Sequence, residues 1–139
     1  GVTVRSAVPR GIIKDIDFQP GLPWDEFTIV TADDVPGQNR VTLIADDQPY
    51  LAAERINHAE EPIVLLAHPD RHLLEEARRR VAITVEPLPP VLTIDEALAA
   101  GEIVWGDDNL FKSYLVSRGD VQGAFDRAHL VVEGLAHLF

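Results

Sequence analysis

The feature that most constrains the fold of this chain is a short apolar run, PIVLLA, at residues 62–67. The run begins with a proline, and Pro69 follows shortly after its end. Because the run is short and bounded by proline on both sides, it predicts a buried central strand and not a helix. The rest of the fold is expected to form around this strand.

A helix and a further strand are predicted directly after the run. Pro69 suits the first turn of a helix, for which His68 is a candidate cap. The helix should extend to about Arg80, because leucine and alanine recur on one of its faces while arginines lie near its negative end. Residues 81–86 then alternate between larger apolar and smaller or polar side chains, as in a strand.

Weaker signals predict the remaining elements. Thr31, Thr93 and Asp120 can each cap a short helix, the first of them stopped after about one turn by a Pro-Gly pair. Strands are predicted at residues 2–6, 12–18, 26–31, within 50–57 and at 130–133, with extended segments at 41–44 and 110–117. This order predicts an α+β fold with a mixed sheet and about three short helices, in a single domain of residues 1–139.

The composition excludes several classes of function. Lys and Arg number 12 against 23 Asp and Glu, which gives a net charge of −11. We expect no nucleic-acid partner, because binding to phosphates requires a basic face.

The chain has no cysteine, so it cannot form disulfides or supply thiolates to zinc or iron–sulfur clusters. No apolar run approaches the roughly 20 residues that span a bilayer, so we expect no membrane partner and a cytoplasmic location.

Both ends of the sequence are abrupt. Residues 2–5 already have the pattern of a strand, and the sequence contains no methionine. Residues 135–139 are apolar and uncapped, whereas natural termini are more often polar. These features predict a segment of a longer protein, with an apolar patch at 135–139 where the missing part packs.

Two histidines are candidates for a metal site. His68 and His72 are four residues apart, a spacing that can place two imidazoles on one metal ion. However, His68 precedes Pro69, which disfavours the helical conformation, and no HExxH pattern is present. We therefore predict surface histidines and no metal site. The alternative, a small independent hydrolase or metal protein, requires bound metal at these two residues.

The other polar and aromatic clusters also favour structural roles. Acidic pairs at residues 33–34, 46–47 and 107–108 could bind calcium or transfer protons, but a helix start and two turns account for them. The polar segment 57–61 is interpreted as a solvated loop and not as the edge of a site. Trp24 and Trp105 lie beside turns, where they are predicted to anchor loops or an interface. No GxGxxG, GxxxxGK or GxSxG pattern occurs, so the chemistry alone indicates only an acidic globular α+β domain.

Six short motifs, in the same order along the chain, resemble segments of one enzyme family. The opening VRS, with the isoleucines and aspartate that follow, resembles VRSPHAHARIxxID. TADDVPGQN (residues 31–39) resembles TADDIPGxN, and PIVLLA resembles GQPVAxVVA. The later segments VEPLPPVL, DEAL and RGDV…AF…VVEG resemble VEYEPLPPVL, xEAL and RGDVxxAFxxADxVVEG. Together they are similar to the α/β hammerhead domain of the molybdopterin-binding subunit in the xanthine dehydrogenase/aldehyde oxidase family of molybdenum hydroxylases.

The resemblance implies a hammerhead fold within a larger subunit. Full enzymes of that family use molybdopterin with molybdenum, [2Fe–2S] clusters and FAD to hydroxylate an aldehyde or an N-heterocycle. The molybdenum-binding loops and the catalytic glutamate of the family lie downstream of the matched region, so the resemblance assigns no catalytic or cofactor-binding residue here. The loop after TADDVPG resembles the part of the family that approaches the substrate funnel, which implies a lining role for Leu43, Ile44 and Ala45.

The chain departs from the family pattern in two places. Ala59-Glu60-Glu61 stands where the family has glycine and glutamine before the core strand, and residues 135–139 depart from the polar strand xYRTGxQEH. The first departure predicts a different loop there. The second predicts either a divergent ending or a chain that stops short.

We therefore expect a structural or scaffold domain of a xanthine dehydrogenase- or aldehyde oxidase-like molybdenum hydroxylase, without catalysis of its own. Its expected partners are the rest of the molybdopterin-binding subunit and the iron–sulfur and FAD domains or subunits. The alternative is a free-standing interaction or binding module that keeps the hammerhead fold and covers all of its apolar residues.

Overall fold

The structure of the chain is a computed structural model that describes residues 1–42, 48–99 and 101–134. Two 3-10 turns, at Trp24–Glu26 and Ala32–Asp34, accompany its strands and α-helices. In chain order the described elements are β1 (Val2–Arg5), β2 (Gly11–Phe18), β3 (Thr28–Val30), β4 (Arg55–Ile56), β5 (Pro62–Ala67), α1 (Arg71–Arg80), β6 (Val81–Pro87), α2 (Ile94–Leu98) and α3 (Val121–Asp126).

The first of two sheets has β5 at its centre, between β1 and β3. Both pairings are antiparallel, with Val4 opposite Val64 and Ile29 opposite Leu66. Ile63, Val64 and Leu66 have no exposed surface. The short apolar run therefore forms the buried central strand that the sequence predicts.

The second sheet has β2 at its centre, between β4 and β6, and its pairings are also antiparallel. Gly11 pairs with Ile56 on one side and with Pro87 on the other. A Cβ atom at position 11 would lie 2.9 Å from the carbonyl oxygen of Glu86 and would overlap the side chain of Val85. Glycine is required there because β6 approaches the main chain of β2 too closely for any side chain.

Helix α1 joins the two sheets, since β5 precedes it in the first sheet and β6 follows it in the second. It packs against β1, β5 and β6. Leu74 and Ala77 of α1 and Ile56 of β4 are buried in the same cluster as the side chains of β5. One hydrophobic core thus serves both sheets and the helix.

The helix starts are fixed by side-chain caps. The carboxylate of Asp70 accepts hydrogen bonds from the main-chain N–H groups of His72 (2.7 Å) and Leu73 (3.2 Å). The N–H donated by Leu73, followed by that of His72, lowers the pKa of Asp70. Thr93 begins α2 with a capping box, in which Glu96 accepts from the N–H groups of Leu92 and Thr93. These bonds lower the pKa of Glu96, because they stabilise its ionised form.

We refer to residues 1–42 and 48–87 as the body, and to residues 88–99 and 101–134 as the arm. Every buried hydrophobic residue of the described chain lies in the body. Of the large hydrophobic residues described as exposed, all but Tyr50 and Leu65 lie in the arm. The arm therefore has no core of its own within the described residues.

The predicted α+β class and its short helices are confirmed, and β1, β2, β5, β6 and the caps of α2 and α3 lie where the sequence places them. The strands, however, form two antiparallel sheets in the described residues and not one mixed sheet, because α1 delivers β6 to a different sheet from β5. The expected cap at His68 is wrong, because Asp70 reaches the free N–H groups and the ring of His68 accepts from the N–H of Asp70 (3.0 Å).

The predicted strand at residues 130–133 is not formed, and residues 110–117 also join no sheet. Leu115 and Val116 are 92% and 97% exposed, and Val132 is 82% exposed. A strand needs a partner for its main-chain groups, and no described strand lies beside either segment.

We expect Ile63→Ala to lower the free energy of unfolding by about 2–5 kcal/mol, because it opens a cavity in the shared core. Chemical denaturation of the chain measures this value. Leu65→Ala is the matched control: it truncates a side chain of the same strand that is 39% exposed, and its effect should be much smaller. Equal losses from the two substitutions would contradict the described burial of β5.

Candidate functional site

The arm is held to the body by one buried guanidinium. Arg10, directly before β2, is 4% exposed. Its Nη1 donates to the carbonyl of Pro89 (2.8 Å) and to the carboxylate of Glu102 (2.8 Å), and its Nη2 donates to the carbonyl of Ile103 (3.2 Å). The Nε atom of Arg10 has no hydrogen-bond partner among the described residues. We call this group of contacts the Arg10 latch.

Asn109 stabilises the part of the arm that the latch holds. Its Oδ1 accepts from the N–H groups of Val104 (2.6 Å) and Trp105 (3.1 Å), while its Nδ2 donates to the carbonyls of Ala97 (3.0 Å) and Glu102 (2.8 Å). The residue has a φ of 63°, a left-handed conformation that asparagine adopts more readily than most residues. One side chain thus closes the loop between α2 and residue 109.

The loop before β5 lies opposite this part of the arm. Residues 57–60 are exposed, as the sequence predicts for a solvated loop. Glu60 has a φ of 62° and stands at one of the positions where the resembled family has a glycine–glutamine pair. Glu61, in contrast, is only 2% exposed, and its Oε2 accepts from the main-chain N–H of Asn57 (2.6 Å).

Two neighbouring cavities lie where the arm meets the body. The first, of about 340 Å³, includes Arg10, Leu92 and Asn109 in its wall. The second, of about 370 Å³, includes Gln48 and Glu61. Four residues line both cavities: Asn57, His58, Val104 and Trp105. This joint between arm and body is the candidate functional site, because it brings polar and aromatic side chains to concave surface.

The structure tests the other candidates from the sequence. His68 lies before α1, and its ring stacks on Phe27 at 4.5 Å between centroids, so it packs on the core next to Trp24. No cluster of three or more metal-ligating side chains exists among residues 1–42, 48–99 and 101–134. His68 therefore has a packing role, and the absence of a metal site at His68 and His72 stays a prediction.

The acidic pairs have structural roles where the structure describes them. Asp34 accepts from the N–H (2.7 Å) and hydroxyl (2.8 Å) of Thr31, which lowers the pKa of Asp34. Asp108 accepts from the N–H of Leu110 (2.9 Å) in a turn. The pair at 46–47 and the predicted funnel residues Leu43, Ile44 and Ala45 lie outside the described residues, as does the predicted apolar patch at 135–139.

Both tryptophans anchor loops, as predicted. Trp24 packs between Phe18 and Phe27 and donates its indole N–H to the carbonyl of Gln19 (2.8 Å). Trp105 packs against Phe111 and lines both cavities.

Sequence reasoning missed Arg10 and Glu61, because their burial depends on residues far along the chain. The only sequence signal for Glu61 is that a carboxylate replaces the glutamine of the resembled motif.

The chain is similar to segments of molybdopterin subunits and xanthine dehydrogenases. No family model matches it. It is 28% identical to the large molybdopterin subunit of nicotinate dehydrogenase from Eubacterium barkeri, over 97% of this chain and 34% of the relative. It is also 29% identical to the xanthine dehydrogenase/oxidase of Felis catus, over 94% of this chain and 9% of the relative. The chain is related to the xanthine dehydrogenase/aldehyde oxidase family.

Solved structures of the family have the same fold. The aldehyde oxidoreductase of Desulfovibrio gigas matches 96% of this chain with a TM-score of 0.74 and 25% identity. That of Desulfovibrio desulfuricans matches 92% with a TM-score of 0.75 and 22% identity. The chain spans 16% of each of these structures, and about a third or less of the curated relatives described above. The similarity therefore concerns one segment of much longer proteins.

None of the described helices is long and apolar enough to cross a membrane.

We expect Arg10→Met to release the arm from the body. The substitution removes the hydrogen bonds that the guanidinium donates to Pro89, Glu102 and Ile103, and a typical hydrogen bond contributes about 0.5–1.5 kcal/mol net. Amide hydrogen exchange at residues 89–109 should therefore accelerate about tenfold or more, while exchange in β5 changes less. Arg127→Met is the control, because Arg127 is 72% exposed at its side chain. Unchanged exchange at residues 89–109 in Arg10→Met would refute the latch.

We expect Glu60→Gly to stabilise the chain by about 0.5–1 kcal/mol. Glycine removes the steric cost of the left-handed backbone at this position, and this gain exceeds the cost of the greater conformational freedom that glycine gives the unfolded chain. Chemical denaturation measures the change. Asn109→Gly provides the contrast. It also removes the steric cost of a left-handed φ, but it deletes the side-chain hydrogen bonds that close the arm loop, so it should destabilise the chain. If Glu60→Gly lowers stability as Asn109→Gly does, backbone strain at Glu60 is not significant.

Proposed function

We propose that this chain is the scaffold domain of a xanthine dehydrogenase- or aldehyde oxidase-like molybdenum hydroxylase, with the α/β hammerhead fold of that family. The observation that carries the proposal is the arm, which exposes its hydrophobic residues while the body buries its own. Exposed apolar surface of this extent marks a place where another part of a protein packs. The occupant is the remainder of the same large subunit, because the related proteins extend far beyond the segment matched here.

The proposal assigns the redox groups of such an enzyme to the rest of the protein. Iron–sulfur clusters require thiolate ligands, and the sequence has no cysteine. The described residues contain no cluster of metal-ligating side chains. Molybdopterin, the [2Fe–2S] clusters and FAD therefore belong, in our proposal, to the rest of the subunit and to partner domains or subunits, and this chain contributes support and shape.

The proposal gives the chain one place near the substrate. Leu43, Ile44 and Ala45 follow the TADDVPG segment, and their resemblance to the family supports a lining role in the substrate funnel. In the full enzyme the reaction would be the oxidative hydroxylation of an aldehyde or an N-heterocycle, and the chain alone would not catalyse it. The cytoplasmic location expected from the sequence remains a prediction.

The free-standing interaction module is the weaker candidate. Such a module should cover its own apolar residues, since exposed patches on a monomer promote association. Leu115, Val116 and Leu130 are each at least three-quarters exposed. The arm therefore supports a scaffold domain that is completed by further chain.

The deciding measurement is the intact mass of the native polypeptide, together with molybdenum analysis of the purified material. We expect a polypeptide several times heavier than the 15.3 kDa of this sequence, with molybdenum bound, because the related subunits are much longer. Zinc and copper in the same sample provide the control for adventitious metal. A native polypeptide of this mass, purified without molybdenum or a partner, would refute the scaffold proposal and leave the interaction module.

A further inference from the structure

Glu61 is a buried carboxylate without a charged partner among the described residues. It is 2% exposed, and the main-chain N–H of Asn57 donates to its Oε2 at 2.6 Å. No described Lys, Arg or His nitrogen lies within 4.0 Å of its oxygens. Acidic side chains are rarely buried unless they are paired, because removing an ionised carboxylate from water costs several kcal/mol.

Glu61 lines the second cavity at the joint between arm and body. This cavity, of about 370 Å³, also contains the side chains of Asn57, His58, Val104 and Trp105 in its wall. Glu61 is the only acidic residue among its described lining residues. Asn57 bonds to Oε2, and Oε1 has no hydrogen-bond partner among the described residues, so Oε1 is the oxygen that we assign to an occupant of the cavity.

The surroundings of Glu61 favour one chemical class of occupant. A cation with N–H donors would both neutralise the carboxylate and donate a charge-assisted hydrogen bond to it. The indole of Trp105 and the apolar side chain of Val104 suit the alkyl part of such a group, and an aromatic face also attracts a cation. A metal ion is disfavoured, because it would find a single carboxylate and no cluster of ligands in the described residues.

We propose that this cavity binds an alkylammonium group on the free oxygen of Glu61. The group can come from a free small amine or from a lysine side chain in the remainder of the polypeptide, because both present the same –NH₃⁺ on an alkyl stem. The inference rests on Glu61 and its cavity, so it stands independently of the proposed scaffold function. It also gives a reason for the carboxylate that replaces the glutamine of the resembled motif.

The test is a titration of the chain with propylammonium, in which NMR measures the chemical shifts of the main-chain N–H of Asn57 and the indole N–H of Trp105. We expect saturable shifts at both groups. Glu61→Gln keeps the shape and the acceptor for Asn57 but removes the charge, and should weaken binding about tenfold or more. Glu60→Gln removes the same charge from the exposed neighbouring residue and should leave the binding unchanged.

Two results would overturn the proposal. The first is the absence of a saturable shift with propylammonium, or an equal affinity in the chain that carries Glu61→Gln. The second is an equal response to propan-1-ol, which has a similar shape but no charge, since the cavity would then bind alkyl groups without regard to Glu61. Sodium chloride at the same concentration controls for ionic strength.

A second experiment distinguishes the two sources of the ammonium group. Carbodiimide treatment of the intact native polypeptide couples carboxylates to amines in direct contact, and mass spectrometry then locates the coupled residues. A Glu61–lysine link identifies a side chain of the remainder as the occupant. If Glu61 is unlinked and still confers propylammonium binding on the native polypeptide, the site is open to a free amine. If the native polypeptide has neither the link nor Glu61-dependent binding, the proposal fails.

Discussion

The burial of β5 is the constraint on which the rest of the structure depends. Its side chains Ile63, Val64 and Leu66 are removed from water entirely, so both edges and both faces of the strand need cover. Strands β1 and β3 cover the edges, and α1 packs against β5. Because α1 then continues into β6 of the other sheet, the same burial also brings the second sheet to the core.

Local signals in the sequence predict the elements whose structure is decided locally. The apolar run gives β5, the alternation after Arg80 gives β6, and the capping box at Thr93 begins α2. Strands that depend on distant partners are less predictable. Residues 130–133, for example, have the composition of a strand but join no sheet in the described chain. The division of the described strands into two sheets was also beyond local signals, because the sheet that β6 joins is decided by the path of α1.

The Arg10 latch depends on contacts between residues far apart in the sequence. Arg10 is buried where residues of the arm contact it, 79 or more positions along the chain, and nothing beside it in the sequence indicates this. The segment 57–61 was predicted as a solvated loop, which is true of its first four residues and not of Glu61. The resemblance to molybdenum hydroxylases, which the comparisons support, gives no indication of the burial of these two charged groups.

The antiparallel pairing of Gly11 with Pro87 has a consequence for the order in which the chain folds during synthesis. Strand β2 leaves the ribosome before β6, and it cannot complete its sheet until β6 has followed α1 out of the exit tunnel. The body should therefore form late and cooperatively, through contacts between residues far apart in sequence, which folding theory associates with slow rates. The early strands must remain soluble during that interval, and the aspartates at positions 15 and 17 of β2 discourage premature pairing between nascent chains.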